Sequence, residues 1–319
     1  MVALPQTPDP TLELADRALE NSENSHPPRP YLGMSSIGGA CDRALWYGFR
    51  WASPKNFDAA TLKRFADGHA TEAVAIARLK AVDTLEVHDL HPVTQRQFGF
   101  EDHQGHFRGH MDGVIFGLIQ APKTWHVLEI KAVSDPKFRE LEKAKEKVGE
   151  KHALREWNET YYAQAVLYME YADLNRHYTV VCTAGGRRWM SVRTEADKPE
   201  ATRLRARALE IITTDSPPPR ISEQPGWYVC RWCEHSATCH EGAFPESNCR
   251  TCLHASAVGN GEWHCARFDR NVPLDEQRQG CPAHLFIPPL INGEQIDAGS
   301  DWVEYRMKDG SIWRDGGRS

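Results

Sequence analysis

The sequence predicts an α/β fold, a central mixed sheet flanked by helices, with a small Cys-rich C-terminal module. Two observations carry this. Helical and strand-like patterns run in the order helix, sheet, helix, strands, helix up to the Pro-rich stretch DSPPPR at 215–220. Beyond that break, seven of the nine cysteines fall between Cys230 and Cys281. The chain of 319 residues has room for one large domain with an appendage, or for two modest domains. With 40% hydrophobic residues and a formal charge of -6 it reads as a soluble globular protein. It has no apolar run of about 18 residues that would cross a bilayer, and MVALPQTPDP lacks the blocks of a signal peptide. No membrane partner and a cytoplasmic address are therefore expected. There cysteines stay reduced, so clustered ones point to metal ligands rather than disulfides. The acidic total excludes a uniformly basic binder, although nucleic-acid binding depends on local charge.

Taken in order, residues 1–30 surround one short helical pattern, TLELADRALE, with Pro, Asn, Ser and Glu, and read as a flexible arm. From Ser35, SSIGGACDRALWYGF opens on a capping-type serine and predicts a helix bearing Cys41. A longer helix is expected from about Asp58 to Val82, where Leu62, Phe65, His69, Glu72, Ile76 and Leu79 step by three or four. Between Glu86 and Val133, VTQRQFGF, HFRGHMDGVIFG and WHVLEIKAV read as three strands. A charged helix follows over Pro136 to Lys151, then the amphipathic EWNETYYAQAVLYMEYADL, the strands RHYTVVCTA and RRWMSVRT, and a helix through TRLRARALEIITT. These elements place an α/β domain over 31–241. The remainder, 242–319, is the Cys-rich module, ending in a hairpin where DWVEYRMKDGSIWRDG turns on an Asp-Gly pair.

The chemistry concentrates in the sheet. Asp112 ends a strand before Gly113, and Glu129-Ile130-Lys131 lies in an apolar strand whose alternation puts Glu129 and Lys131 on one face and Leu128, Ile130 and Ala132 on the other. Two carboxylates and an ammonium on one buried face are costly without a partner. A divalent cation is the natural one, and oxygen donors suit Mg²⁺ or Mn²⁺. Such an ion polarises a phosphodiester and acidifies a bound water. A cross-strand salt bridge explains Glu-x-Lys equally simply. This is, however, the only Glu-x-Lys triplet in the chain, and it lies in a strand rather than in the charged helix. One helix face adds Tyr161, Gln164 and Tyr168.

In this order, GHATE at 68–72, the Asp of GHMDGVI, LEIK and the YYAQAVLYM helix resemble the PD-(D/E)xK nucleases of the RecB and lambda-exonuclease type, over about residues 31–241. The resemblance implies that Asp112 and Glu129 are metal ligands, with the Ile130 carbonyl as a third. It makes Lys131 the catalytic lysine, and Gln164 with Tyr168 a motif lining a DNA channel. One more metal-side residue is expected from the early helix, either Glu72 or His69.

Cys230-x2-Cys233-x5-Cys239 places three thiols close enough for one tetrahedral ion or cluster. The fourth ligand is His235, His240 or a distant cysteine. Iron-sulfur members of the same nuclease group, including CRISPR-adaptation nucleases and AddB-type helicase-nucleases, place one cysteine ahead of the core and three after it. The resemblance therefore points to Cys41 and a 4Fe-4S cluster, with Zn²⁺ on the same ligands as the alternative. Cys249-x2-Cys252-x12-Cys265-x15-Cys281 is a structural-zinc pattern, with His254, His264 and His284 as alternative ligands. Cys182, in an apolar strand, reads as a buried small residue.

From Arg176 to Arg207 eight basic residues face three acidic ones, a local balance of +5. Arg187, Arg188, Trp189 and Arg203 are candidates to bind phosphate and stack a base. A solvated helix face is the plainer reading, because Arg203, Arg205 and Arg207 cannot all point one way. The resemblance implies a metal-dependent DNA exonuclease processing ends for recombination or replication in a bacterial or phage-infected cell, acting on linear duplex or single-stranded DNA beside a recombination or annealing protein. A non-catalytic DNA-binding scaffold and an endonuclease or CRISPR-adaptation nuclease are the other readings.

Overall fold

The computed structural model describes residues 9–54 and 56–317. The segment read as an arm contains α1 (Pro10–Ser25), capped by Asp9, and none of its residues is buried. It is nevertheless tethered at a distance. Asn24 exchanges two 2.9 Å hydrogen bonds with the Phe57 backbone, and Asp16 meets Lys63 at 2.5 Å. After β1 (Leu32–Gly33) come α2 (Asp42–Arg50), for which Cys41 is the N-cap residue, and the 22-residue α3 (Ala59–Lys80).

Five strands follow where three were expected: β2 (Glu86–His88), β3 (Gly99–Asp102), β4 (Phe107–His110), β5 (Gly113–Phe116) and β6 (His126–Val133). The run HFRGHMDGVIFG is two strands because the chain changes sheets at Met111-Asp112. β4 joins the small sheet β1-β4-β3, whereas β5 joins the large one. Gly113 permits this, since a Cβ there would stand 2.4 Å from the His88 carbonyl oxygen. Next come α4 (Asp135–Val148) and α5 (Glu150–Trp157), where one charged helix was expected. They divide at Gly149, whose φ of 79° breaks the helix.

Then α6 (Glu159–Tyr171), β7 (Arg176–Thr183), β8 (Trp189–Glu195) and α7 (Lys198–Thr213) complete the domain. The large sheet runs β2-β5-β6-β7-β8 and is mixed: β6 and β7 are parallel and the other pairs antiparallel. The parallel pair needs a crossover, which α4, α5 and α6 supply. Leu128 and Ile130 face α3, packing with Ala75, Ile76, Leu79 and Cys182. Val127 and Val181 face α6. That helix is not amphipathic as read: every residue from Tyr162 to Met169 is buried, because it lies inside the crossover with its neighbours on all sides.

The Cys-rich segment forms β9 (Ala255–Ala257), β10 (Trp263–Cys265) and β11 (Arg270–Val272), then a meander of β12 (Gly293–Ala298), β13 (Trp302–Met307) and β14 (Ile312–Gly316). The expected hairpin is β13–β14, and β12 adds a third strand. The segment shares the main core: Trp263, fully buried, packs on Phe49 and His106. Arg250 fastens the junction. Its buried guanidinium donates to the Phe49 and Pro30 carbonyls, each at 3.0 Å, and to Gln277 Oε1 at 2.9 and 3.0 Å. It also stacks 3.7 Å from the Trp51 ring centroid. Arg250→Ala strands three acceptors at about 1–3 kcal/mol each and should lower stability by at least about 3 kcal/mol in denaturant melts. Arg250→Lys should restore little, since a lysine has no planar fork. A lysine variant as stable as wild type would refute this account of the junction.

Candidate functional site

Asp112 stands where the chain passes between sheets, beside β6, and the Ile130 amide donates to Asp112 Oδ2 at 2.7 Å. That bond continues the β5–β6 ladder beyond its last pair, Gly113 with Leu128, so the strand itself sets the carboxylate. Glu129, only 4% exposed, lies on the α6 face as the alternation predicted. Lys131 Nζ donates to Glu129 Oε1 at 2.5 Å and to Gln164 Oε1 at 3.1 Å, and Gln164 Nε2 donates to the same Glu129 oxygen at 2.8 Å. Lys131 also lies 4.8 Å from the Tyr161 ring centroid. The salt bridge that explains Glu-x-Lys is therefore present, but it uses one carboxylate oxygen. The other, Glu129 Oε2, is buried and has no hydrogen-bond partner among the described residues.

Burial, then the charges of Glu129 and Glu72, push Asp112 up to about 8 despite the Ile130 amide. Glu72, half-buried on α3, is raised by burial and by Glu129, with His69 and Lys131 opposing. His69 is exposed, and Glu72 is the α3 group whose charge is felt at Asp112. Lys131 is raised because Glu129 and Asp112 outweigh the opposing effect of burial.

Gln164 and Tyr168 are 4% and 1% exposed, so neither lines an open channel. Gln164 braces Glu129 and Lys131. Burial and then the charge of Glu129 raise the Tyr168 hydroxyl, with Gln164 and the His110 backbone opposing. The amide of Ile130 has a visible role, holding Asp112, that the motif did not announce.

An Asp raised in the folded state contributes stability below its unfolded pKa, and this is lost as pH rises through the folded value. In chelator, wild type should therefore lose stability relative to Asp112→Asn between about pH 4 and 8. Thermal midpoints of the two proteins across this range check it, and parallel curves would contradict the shift.

Cys41, Cys230, Cys233 and Cys239 line one cavity of about 40 Å³, together with His235 and His240. Burial raises the Cys230 and Cys233 thiols, and Cys41 and Cys239 add to it, while a hydrogen bond from the His235 backbone favours the Cys233 thiolate. In the second set burial pushes Cys249 up to about 11, reinforced by Cys252, Cys281 and Cys265. Backbone hydrogen bonds at His254 and Leu285 favour the Cys252 thiolate. His284 is engaged by the Asn248 carbonyl and His264 by Asn271 and Asp269. Among the described residues, no three His, Cys, Asp or Glu side chains already stand where one ion could be held. The fit lies in the donors: four thiols lining one cavity, and a buried carboxylate oxygen without a partner among the described residues.

The basic stretch is largely neutralised, mostly by acids from elsewhere in the chain and at Arg203 by its neighbour Glu200. Arg188 pairs with Glu142 and Asp135, Arg193 with Glu150, Arg203 with Glu200, Arg205 with Asp102 and Arg207 with Asp42. The +5 balance counted only neighbours in sequence. Arg187 is exposed, and Trp189, 45% exposed, lies under Arg78.

No family model matches the chain, and no curated protein matches it. Among solved structures it is similar to the crystal structure of SSO0001, at 14% identity and a TM-score of 0.40, covering 72% of this chain and 96% of that one. It is also similar to LHK-Exo in complex with dAMP, at 15% identity and 0.37, covering 62% and 90%. A third is an alkaline exonuclease, LHK-Exo from Laribacter hongkongensis, at 12% identity and 0.37, covering 61% and 90%. No helix among the described residues is long and apolar enough to cross a membrane.

Proposed function

We propose that the chain is a divalent-metal-dependent deoxyribonuclease, an exonuclease that processes DNA ends in recombination or replication. The observation that carries this is the buried Glu129 Oε2, without a partner among the described residues, beside an Asp112 whose charge its surroundings resist. Both conditions are relieved by a cation. Asp112 and Glu129, with Glu72 from α3 and the Ile130 carbonyl, would hold Mg²⁺ or Mn²⁺. Such an ion, when bound, supplies Lewis acidity toward the phosphodiester and acidifies the attacking water. The protein's own contribution is positional. Gln164 and Lys131 together fix Glu129 Oε1, Glu129 and Gln164 aim the Lys131 ammonium, and Lys131 stabilises charge developing on the phosphate.

Cys41, Cys230, Cys233 and Cys239 are proposed to hold a 4Fe-4S cluster, or Zn²⁺ on the same thiols, closing the end of the domain onto α2. Cys249, Cys252, Cys265 and Cys281 are proposed to hold Zn²⁺ beneath the Arg250 junction. The substrate is DNA, and a recombination or annealing protein is the proposed partner.

End-labelled linear DNA and covalently closed circular DNA, each incubated with Mg²⁺ or Mn²⁺, test the reading. Release of nucleotides from linear DNA with intact circles is the expected result. Nicked circles would make the enzyme an endonuclease, and two inert substrates would overturn the nuclease reading.

A further inference from the structure

The DSPPPR stretch at 215–220 breaks regular structure, yet its course in the fold is closely held. It leaves α7 at Thr214 and runs along α2. Trp46 Nε1 and Arg50 Nη2 donate to the Thr214 carbonyl at 2.8 and 3.1 Å, and Arg43 Nη1 donates to the Pro218 carbonyl at 2.9 Å. Residues 43, 46 and 50 step by three and four, so one face of α2 presents a row of donors. The prolines at 217–219 can only accept, having no N–H, and three in succession stiffen the strap. It therefore runs from the C-terminal to the N-terminal end of α2, where Cys41 is the N-cap residue.

Arg220 ends the strap as a clamp. Its Nε and Nη2 donate to the Cys239 carbonyl at 3.0 and 2.5 Å, and its Nη1 donates to Glu223 Oε2 at 2.9 Å. On the α2 side, Arg43 Nε donates to the Tyr47 hydroxyl at 3.1 Å, and the guanidinium lies 5.3 Å from that ring's centroid. Both guanidiniums line the cavity of the four thiols, and no carboxylate among the described residues does. Burial works against the charge of Arg220, yet the Cys239 side chain and Glu223 raise it. Four thiolates around Zn²⁺, or around an oxidised 4Fe-4S core, keep a net negative charge. Holding that charge out of water is costly without a partner.

We propose that Arg43 and Arg220, set in place by the strap, are the counter-charges of the first cysteine centre and hold its metal against release. The proposal rests on the metal reading of Cys41, Cys230, Cys233 and Cys239 and is independent of the chemistry at Asp112. It applies to Zn²⁺ and to 4Fe-4S alike, because either leaves the thiolate shell negative.

Metal release from the full chain tests it. Wild type, Arg43→Gln, Arg220→Gln, Arg43→Lys and Arg220→Lys are loaded anaerobically and given excess chelator, with iron, sulfide and zinc followed as separate release phases. Each glutamine variant should lose the metal of the first centre about 10- to 100-fold faster than wild type, the span of affinity lost with an outer partner of a metal ligand. Lysine keeps the charge without the planar fork, so the lysine variants should stay close to wild type. Metal on the Cys249 set should leave at the wild-type rate in every variant, which separates an effect on this centre from a general loosening.

Wild-type release from both glutamine variants would overturn the proposal and leave the metal centre standing. Lysine variants as labile as the glutamine ones would also overturn it, since charge would then not matter. Equal acceleration at both cysteine sets would do the same. Wild-type protein that holds no metal on the four thiols would overturn the reading beneath the proposal instead. Should Arg220→Gln fail to fold, Arg43→Gln leaves the Cys239 carbonyl bonded and decides alone.

Discussion

Glu129→Gln is expected to reduce metal-dependent DNA hydrolysis by about 10³-fold or more while leaving the thermal midpoint unchanged or raised. The amide has the carboxylate's shape and can still accept from Lys131 through one oxygen, as Glu129 Oε1 does at 2.5 Å. It removes the charge that helps push Asp112 up, and it replaces the partnerless Oε2 acceptor with a donor or a neutral oxygen. Lys131→Ala makes an instructive contrast. It leaves Glu129 buried and ionised without its cation, so about 3–5 kcal/mol of stability should be lost along with activity. Only the glutamine variant separates chemistry from folding. Single-turnover hydrolysis of end-labelled DNA with parallel melts provides the comparison. Equal rates for Glu129→Gln and wild type would remove Glu129 from the site.

Much of this site was legible because it is written in alternation. Leu128 and Ile130 bury against α3 while Glu129 and Lys131 face α6, as a period of two requires. The cysteine spacings were informative for a similar reason: short-range repeats leave few geometries. What escaped the sequence depends on contacts distant along the chain. The division of HFRGHMDGVIFG into two strands is set by β2 closing on Gly113. The burial of α6 on every side follows from lying within a crossover. The basic stretch loses its phosphate-binding appearance because Asp42, Asp102, Glu142 and Glu150 arrive from elsewhere. Gln164 and Tyr168 were found by their motif, but their burial moves them from a channel wall to props behind Glu129 and Lys131.

Loss of the first cysteine centre should have the larger structural effect. Cys41 comes from the N-terminus of α2 and Cys239 from a single π-helical turn at Ala237–Glu241, on opposite sides of the α/β domain in sequence. A centre joining them constrains almost the whole fold, and the binding energy of a structural metal is folding energy. Anaerobically purified protein should be brown and contain iron and sulfide, with zinc at the second site. Cys233→Ser should bleach it and lower stability by more than the about 2–5 kcal/mol of a large core truncation. Cys249→Ser should remove zinc and leave the colour, because Cys249 feels Cys252, Cys265 and Cys281 rather than the first set. Cys182→Ala should change neither metal, since that thiol packs with Ala75, Leu128 and Ile130. Zinc without sulfide at the first site would replace the cluster with the ion and preserve the ligand set. Wild-type colour and metal content in Cys233→Ser would show that the four thiols do not act together, and the closure of the domain onto α2 would then rest on packing alone.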